Sequence, residues 1–162
     1  MNIFILDQDL QKNAEYHVDK HVVKMILEQT QLLSSVYYFT NEPAAAPYRL
    51  THKNHPCAKW VRESLSNWKW LKNFTIVLAN EYTYRYGKYH KSGELAKDLP
   101  DPELIDIGIT PFPQAMPVQY QDEDPVKAYR SYYLGEKSHL FSWKKRQIPK
   151  WVVEEMKDEV GI

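Results

Sequence analysis

His17, His21, Lys24, Glu28 and Gln31 follow one another at steps of four, three, four and three residues in the run HVDKHVVKMILEQTQ. On a helix turning ~100° per residue, these five side chains fall within about 80° of arc and form one longitudinal polar stripe. Val18, Val22, Met25, Gln29, Leu32 and Val36 occupy the adjoining sector and read as the core face. The spacing therefore sets one carboxylate at the edge of the core, beside two imidazoles and an amine. Burial and neighbouring cations push such a carboxyl in opposite directions, and that balance is how an acid/base residue comes to be poised near neutral pH. The plain alternative is a solvated helix flank with ordinary i,i+4 pairs, a common pattern.

Other groupings carry weaker chemistry. His17 and His21, four apart, have the spacing of a two-imidazole metal clamp that Glu28 or His55 could complete. No HExxH is present, and a satisfied histidine pair is the more usual case, so neither metal nor cofactor is expected. His52 and His55, in the THKNHP turn, either receive an anion at the start of the following helix or simply cap and pack it. The run EYTYRYGKYHK, residues 81 to 91, interleaves tyrosines with Arg85, Lys88, His90 and Lys91. That composition suits a surface that stacks bases and neutralises phosphates, but a buried stripe of Tyr82, Tyr86 and Tyr89 explains the same letters. WKKRQIPKW, residues 143 to 151, is the strongest basic patch, with Lys144, Lys145, Arg146 and Lys150 between two tryptophans. Cys57 follows a proline near a helix start, where a thiolate would be favoured, although a buried structural thiol is more common. No GxSxG elbow supports serine hydrolase chemistry.

The elements that must position these residues are mainly α-helical. A helix is expected from about Asn13 to Tyr38, ending before Asn41-Glu42-Pro43, and a second from Pro56 to near Gly87. NIFIL at residues 2 to 6 reads as a short strand or a packed N-terminal arm. From Lys91 to Gln121 periodicity fails, and the TPFPQAMP run at 110 to 117 marks a long ordered loop of the kind that is more often functional than idle. Asp124-Pro125 opens a further helix to about His139. No βαβ rhythm appears. The expected architecture is a compact single-domain helical bundle over residues 1–162 with a long Pro-rich ordered loop.

Composition bounds the partners. With 162 residues, 43% apolar content, 12 Tyr and 5 Trp, the chain can bury a sizeable core rich in amphipathic rings. A formal net charge of zero argues against binding nucleic acid by global attraction, so any such binding needs a local basic face. A lone cysteine excludes an internal disulfide, and MNIFIL is too short, before Asp7, for a signal peptide. No apolar stretch approaches the ~20 residues of a membrane span. A cytoplasmic monomer without membrane contact is expected.

VDKHVVKMILE, residues 18 to 28, resembles the phage-type pyrimidine-dimer DNA glycosylases of the endonuclease V type, in which Asp-x-His is followed seven residues on by a catalytic Glu. The matching residues are Asp19, His21 and Glu28. The resemblance extends more weakly through HPCAKWVRESLSNWKWL, LANEYTYRYG and YRSYYLGEK. It implies a compact all-α enzyme that flips a nucleotide from the duplex and cleaves its N-glycosidic bond with an N-terminal α-amine, the resulting imine permitting strand elimination. Glu28 would stabilise the cationic sugar and move protons, with His21 and Asp19 orienting it or the substrate. His17, Lys24 and Gln31 would line the cleft, and Arg62, Arg85 and the 144–146 cluster would contact phosphates. Asn2 lies nineteen residues before His21, farther than in the family, and asparagine is a poor context for Met removal. The nucleophile is therefore left open among the amine of Met1 or Asn2, Lys24, and a water activated by Glu28.

The expected function is a DNA N-glycosylase, with an abasic-site lyase step, acting on damaged or modified pyrimidines. Two alternatives stand beside it: a nucleoside- or nucleotide-processing enzyme using the same pocket without DNA, and a helical module that binds a partner through its Tyr/Trp surface.

Overall fold

The computed structural model describes residues 2–160, with the side chains of 158–160 left aside. Seven α-helices cover the described residues: α1 (Leu10–Tyr16), α2 (Asp19–Val36), α3 (Pro56–Glu63), α4 (Leu65–Tyr86), α5 (Lys91–Lys97), α6 (Pro125–Glu136) and α7 (Lys150–Val160). No strand occurs among them, so the all-helical expectation holds. No helix among the described residues is long and apolar enough to cross a membrane.

The long helices α2 and α4 pack together at the centre, with α1 and α3 against α4 and α5 lying across both. Residues 3–6 form a buried arm rather than a strand, with Leu6 fully enclosed. Asn13 holds this arm as a neighbouring strand would: the Leu6 N–H donates to its Oδ1 at 2.8 Å, and its Nδ2 donates to the Phe4 carbonyl. α6 then closes over the arm, Arg130 donating to the Leu6 carbonyl at 2.8 Å and pairing with Asp7.

The helix expected over 13–38 is two helices. α1 begins at its Asp9 cap and ends at Tyr16, with His17 and Val18 extended. The break follows from where the backbone groups go. Arg85 takes the carbonyls of Ala14, Glu15 and His17. Two of the amides that would have sought them are satisfied elsewhere: Val18 N–H donates to the Tyr133 hydroxyl, and Asp19 N–H to the Ser142 carbonyl. Continuing the helix would strand these groups inside the core.

The second expected helix is likewise two, broken at extended Ser64. There the Ser64 hydroxyl donates to Asp106, and Leu65 N–H donates to the Ile105 carbonyl. α4 ends at Gly87, whose φ of +69° suits a residue without Cβ. The 91–121 stretch is a loop only after its first seven residues. α5 forms there because the His90 ring accepts from Ser92 N–H, and because Gly93 lets its backbone approach Ala79. Beyond it the ordered loop is held by donors from the helices, including Trp60 Nε1–H to the Thr110 carbonyl and Lys72 to the Leu99 carbonyl.

Candidate active site

Glu28 lies half-buried on α2 and lines a small pocket of about 140 Å³ with Asn2, Phe4, His21, Lys24, Met25, Tyr132 and Lys137. The volume matches four or five waters at ~30 Å³ each. Three elements build the pocket. α2 supplies His21, Lys24, Met25 and Glu28 from successive turns of one face. The arm supplies Asn2 and Phe4, and the end of α6 supplies Tyr132, with Lys137 just beyond it.

Asn2 is anchored on three sides. Its Oδ1 accepts from the Tyr129 hydroxyl at 2.8 Å and from Ile3 N–H, and its Nδ2 donates to the Ala115 carbonyl. The proline-rich loop thus fixes the first described residue of the chain. Phe4 stacks on His21, ring centroids 4.4 Å apart and planes 18° from parallel, and it meets Tyr133 edge-on at 5.3 Å.

Burial, reinforced by His17, Lys137 and Lys24, lowers the His21 pKa to about 3. His21 therefore enters the pocket as a neutral imidazole across the physiological range, and serves as a hydrogen-bonding group rather than a stored proton. The pocket's other ionisable groups are the Glu28 carboxyl and the side-chain amines of Lys24 and Lys137. Lys137 also sits 5.3 Å above the Tyr132 ring. Such a pocket can place a carboxylate beside an electron-poor carbon, offer amines as nucleophiles, and hold an aromatic platform at its rim.

His17 was expected beside these groups and is not. It caps α1 inside the core, with its Nδ1 2.6 Å from the Asn13 carbonyl oxygen and its pKa lowered by burial to about 4. The helix break removes it from the stripe. Among the described residues no cluster of three or more His, Cys, Asp or Glu is arranged to hold a metal.

Asp19 is also turned away from the pocket. Its carboxylate accepts from Arg85, the Ser142 hydroxyl and Lys144 N–H, and so ties the 142–144 segment to the start of α2. Arg85, expected as a phosphate contact, is fully buried and bonded to Glu81 at 2.8 Å and Asp19 at 3.0 Å. Arg146 grips Glu81 with two bonds and lies 4.0 Å from the Tyr84 ring centroid, so in the 144–146 cluster only Lys144 and Lys145 remain exposed cations. Arg62 donates to the Lys53 carbonyl and stacks on Phe39.

His55 accepts the Cys57 N–H as the cap of α3, its pKa lowered by burial while Glu28 acts in the opposite sense. Cys57 is enclosed and burial raises its pKa to about 11, which leaves an inert thiol. Gln31 and His52 border a separate depression one turn along α2. The tyrosine run divides: Tyr82 is buried, whereas Tyr84 and Tyr89 are 48% and 75% exposed.

Phe4, Met25, Tyr132 and Lys137 are pocket residues that sequence reasoning missed. Tyr132 and Lys137 both fall in YRSYYLGEK, which carried a weak family signal without singling out either residue. A wider groove of about 560 Å³ runs between α1 and residues 145–150, lined by Lys12, Tyr16 and Lys150 among others. None of Glu28, His21 or Asn2 reaches it. The smaller pocket is the chemically equipped one.

A family model described as pyrimidine dimer DNA glycosylase matches residues 1–104, which include the arm, α2 and Glu28. No curated protein and no solved structure matches.

Proposed function

The chain belongs to the pyrimidine dimer DNA glycosylase family, and from that premise we propose that it excises damaged or modified pyrimidines from DNA with Glu28 as the acid/base residue. The supporting observation is that Glu28 shares one pocket with Asn2, His21, Lys24 and Lys137.

In the proposed reaction the C1′–N glycosidic bond breaks with its electron pair leaving on the base, which takes up a proton. C1′ gains cationic character, and the Glu28 carboxylate stabilises it electrostatically. An amine in the pocket donates its electron pair to C1′ and passes a proton to Glu28. Glu28 returns that proton to O4′ as the C1′–O4′ bond opens to a protonated imine, and loss of a C2′ proton to the carboxylate then expels the 3′ phosphate with the C3′–O electron pair. The candidate amines are the α-amine of Asn2, exposed only if Met1 is removed, and the side chain of Lys24; a water activated by Glu28 is the alternative, which would release base without an imine. The amine of Met1 lies outside the described residues. Neutral His21 orients the sugar, and Tyr132 offers a ring face at the rim.

The test is incubation with duplexes carrying a thymine dimer, an abasic site or a modified pyrimidine, with borohydride present. Base release and a reduced covalent adduct are expected, with Glu28→Gln binding the same duplexes but releasing base on the order of 10³-fold more slowly. Absence of both release and trapping across the panel refutes the reading. The small pocket and the zero net charge favour one second reading, a mononucleotide substrate. A polymer substrate loses affinity steeply with salt, and a mononucleotide much less.

A further inference from the structure

Gln31 follows Glu28 by three residues on α2, about 4.5 Å farther along the axis at 1.5 Å per residue. It opens into a second depression of about 440 Å³, shared with Tyr48, Arg49, Leu50, Thr51 and His52. The loop that carries these residues is fastened to α2. Tyr48 N–H donates to Ser34 Oγ, whose own proton goes to the Tyr48 carbonyl, both at 3.0 Å. The Tyr38 hydroxyl donates to that same carbonyl at 2.9 Å, and the Tyr48 hydroxyl bonds Ser92 Oγ at 2.8 Å. His52 is held with its ring Nδ1 2.7 Å from Thr51 Oγ1 and with a φ of +51°, a left-handed conformation that a residue with a Cβ seldom adopts.

On this fixed loop Arg49 stands exposed and makes neither an ion pair nor a hydrogen bond with the described residues. The lining contains no carboxylate, while Arg49, Gln31 and one member of the hydrogen-bonded Thr51–His52 pair offer donors. A rigid, donor-rich concavity with an uncommitted guanidinium and no acid is suited to a phosphate, which guanidinium meets through two parallel bonds. Its position beside the Glu28 pocket narrows the source of that phosphate.

We propose that this depression binds the phosphodiester flanking the nucleotide whose sugar occupies the Glu28 pocket, with Arg49 as its ion-pair partner. The proposal rests on the glycosylase reading. It gives a chain without net charge a local anchor that holds the strand in register with Glu28, positioning without reading the base.

The experiment measures binding of the full chain to an oligonucleotide duplex holding one tetrahydrofuran abasic analogue, across a salt series. Companion duplexes carry a neutral methylphosphonate immediately 3′ of the analogue, immediately 5′ of it, or six nucleotides away. Arg49→Gln is expected to bind the unmodified duplex about tenfold more weakly and to reduce the slope of log affinity against log salt by about one. A methylphosphonate at one flank should weaken the wild type by a similar factor, leave Arg49→Gln unaffected, and have little effect at the distant position. Thermal denaturation of the exposed Arg49 variant should match wild type, which excludes misfolding.

If Arg49→Gln keeps the wild-type slope, or loses affinity equally for every flank, the Arg49 site is wrong even though wild type still binds and cleaves. If wild type itself neither binds nor cleaves any duplex, the glycosylase reading fails and the proposal falls with it.

Discussion

The Tyr133 hydroxyl and Nδ1 of His21 stand 2.6 Å apart, and that same hydroxyl accepts the Val18 N–H. Val18 N–H is a donor, so among the hydroxyl's partners His21 Nδ1 is the acceptor for the buried tyrosine proton. The neutral imidazole is thereby assigned its Nε2–H tautomer, with a donor left for the pocket. α6 thus sets the hydrogen-bonding sense of a pocket residue on α2.

Tyr133→Phe removes that constraint. We expect single-turnover base release to slow by about tenfold with little change in duplex affinity, and stability to fall by about 1–2 kcal/mol because a buried N–H loses its acceptor. Unchanged release would show that the tautomer is immaterial.

His17 and His21 together make stability pH-dependent. Burial holds their folded pKa values at about 4 and about 3, below the ordinary 6.5. Between these limits the unfolded chain binds more protons, so stability is complete above pH ~6.5 and drains as pH falls, by up to about 1.4 kcal/mol per pH unit for each histidine. The thermal midpoint should therefore decline from pH 6.5 to pH 4. His17→Phe, which keeps a ring in place, should shallow that decline, and an equal slope in the variant would contradict the assignment.

Arg85→Met tests a different expectation. Removal of the guanidinium leaves Glu81 and Asp19 without their buried partner and the Glu15 and His17 carbonyls without a donor, so a loss of about 3–5 kcal/mol is expected in urea unfolding. Among molecules that remain folded, the salt dependence of duplex binding should be that of wild type. A residue contacting phosphate would give the reverse outcome, a shallower salt dependence at unchanged stability.

Gly93 is a close-approach position. A Cβ there would come within 2.5 Å of the Ala79 Cβ, so Gly93→Ala should push α5 from α4 at a cost of about 1–3 kcal/mol. Adding Ala79→Gly should recover part of the loss in thermal denaturation. Additive losses in the double variant would place the strain elsewhere.

Periodicity was informative wherever one face of a helix meets the core, which is why α2, α4 and α6 are legible from sequence alone. Their breaks are not, because His17 and Ser64 interrupt helices through partners far along the chain: Arg85, Tyr133 and Ser142 in one case, Asp106 in the other. Arg85 itself reads as a surface cation by composition, and only the enclosing carboxylates and carbonyls reveal an internal one. In the site, Lys24 and Glu28 follow from helical spacing and His21 from spacing and resemblance. Phe4, Tyr132 and Lys137 arrive from the arm and from α6, whose meeting with α2 is a tertiary event that no local pattern encodes.

The arm of residues 3–6 has a consequence for how the enzyme could be silenced. It forms one wall of the Glu28 pocket and is also the seat on which α6 rests, through Asn2, Leu6 and Asp7. Partial detachment of these few residues, with every helix intact, would dismantle the enclosure around Glu28 while far-ultraviolet dichroism registered almost nothing. Under the proposed glycosylase reading, amide exchange at Leu6 would then track base release more faithfully than global melting does, because the Glu28 pocket is complete only while this short segment is seated.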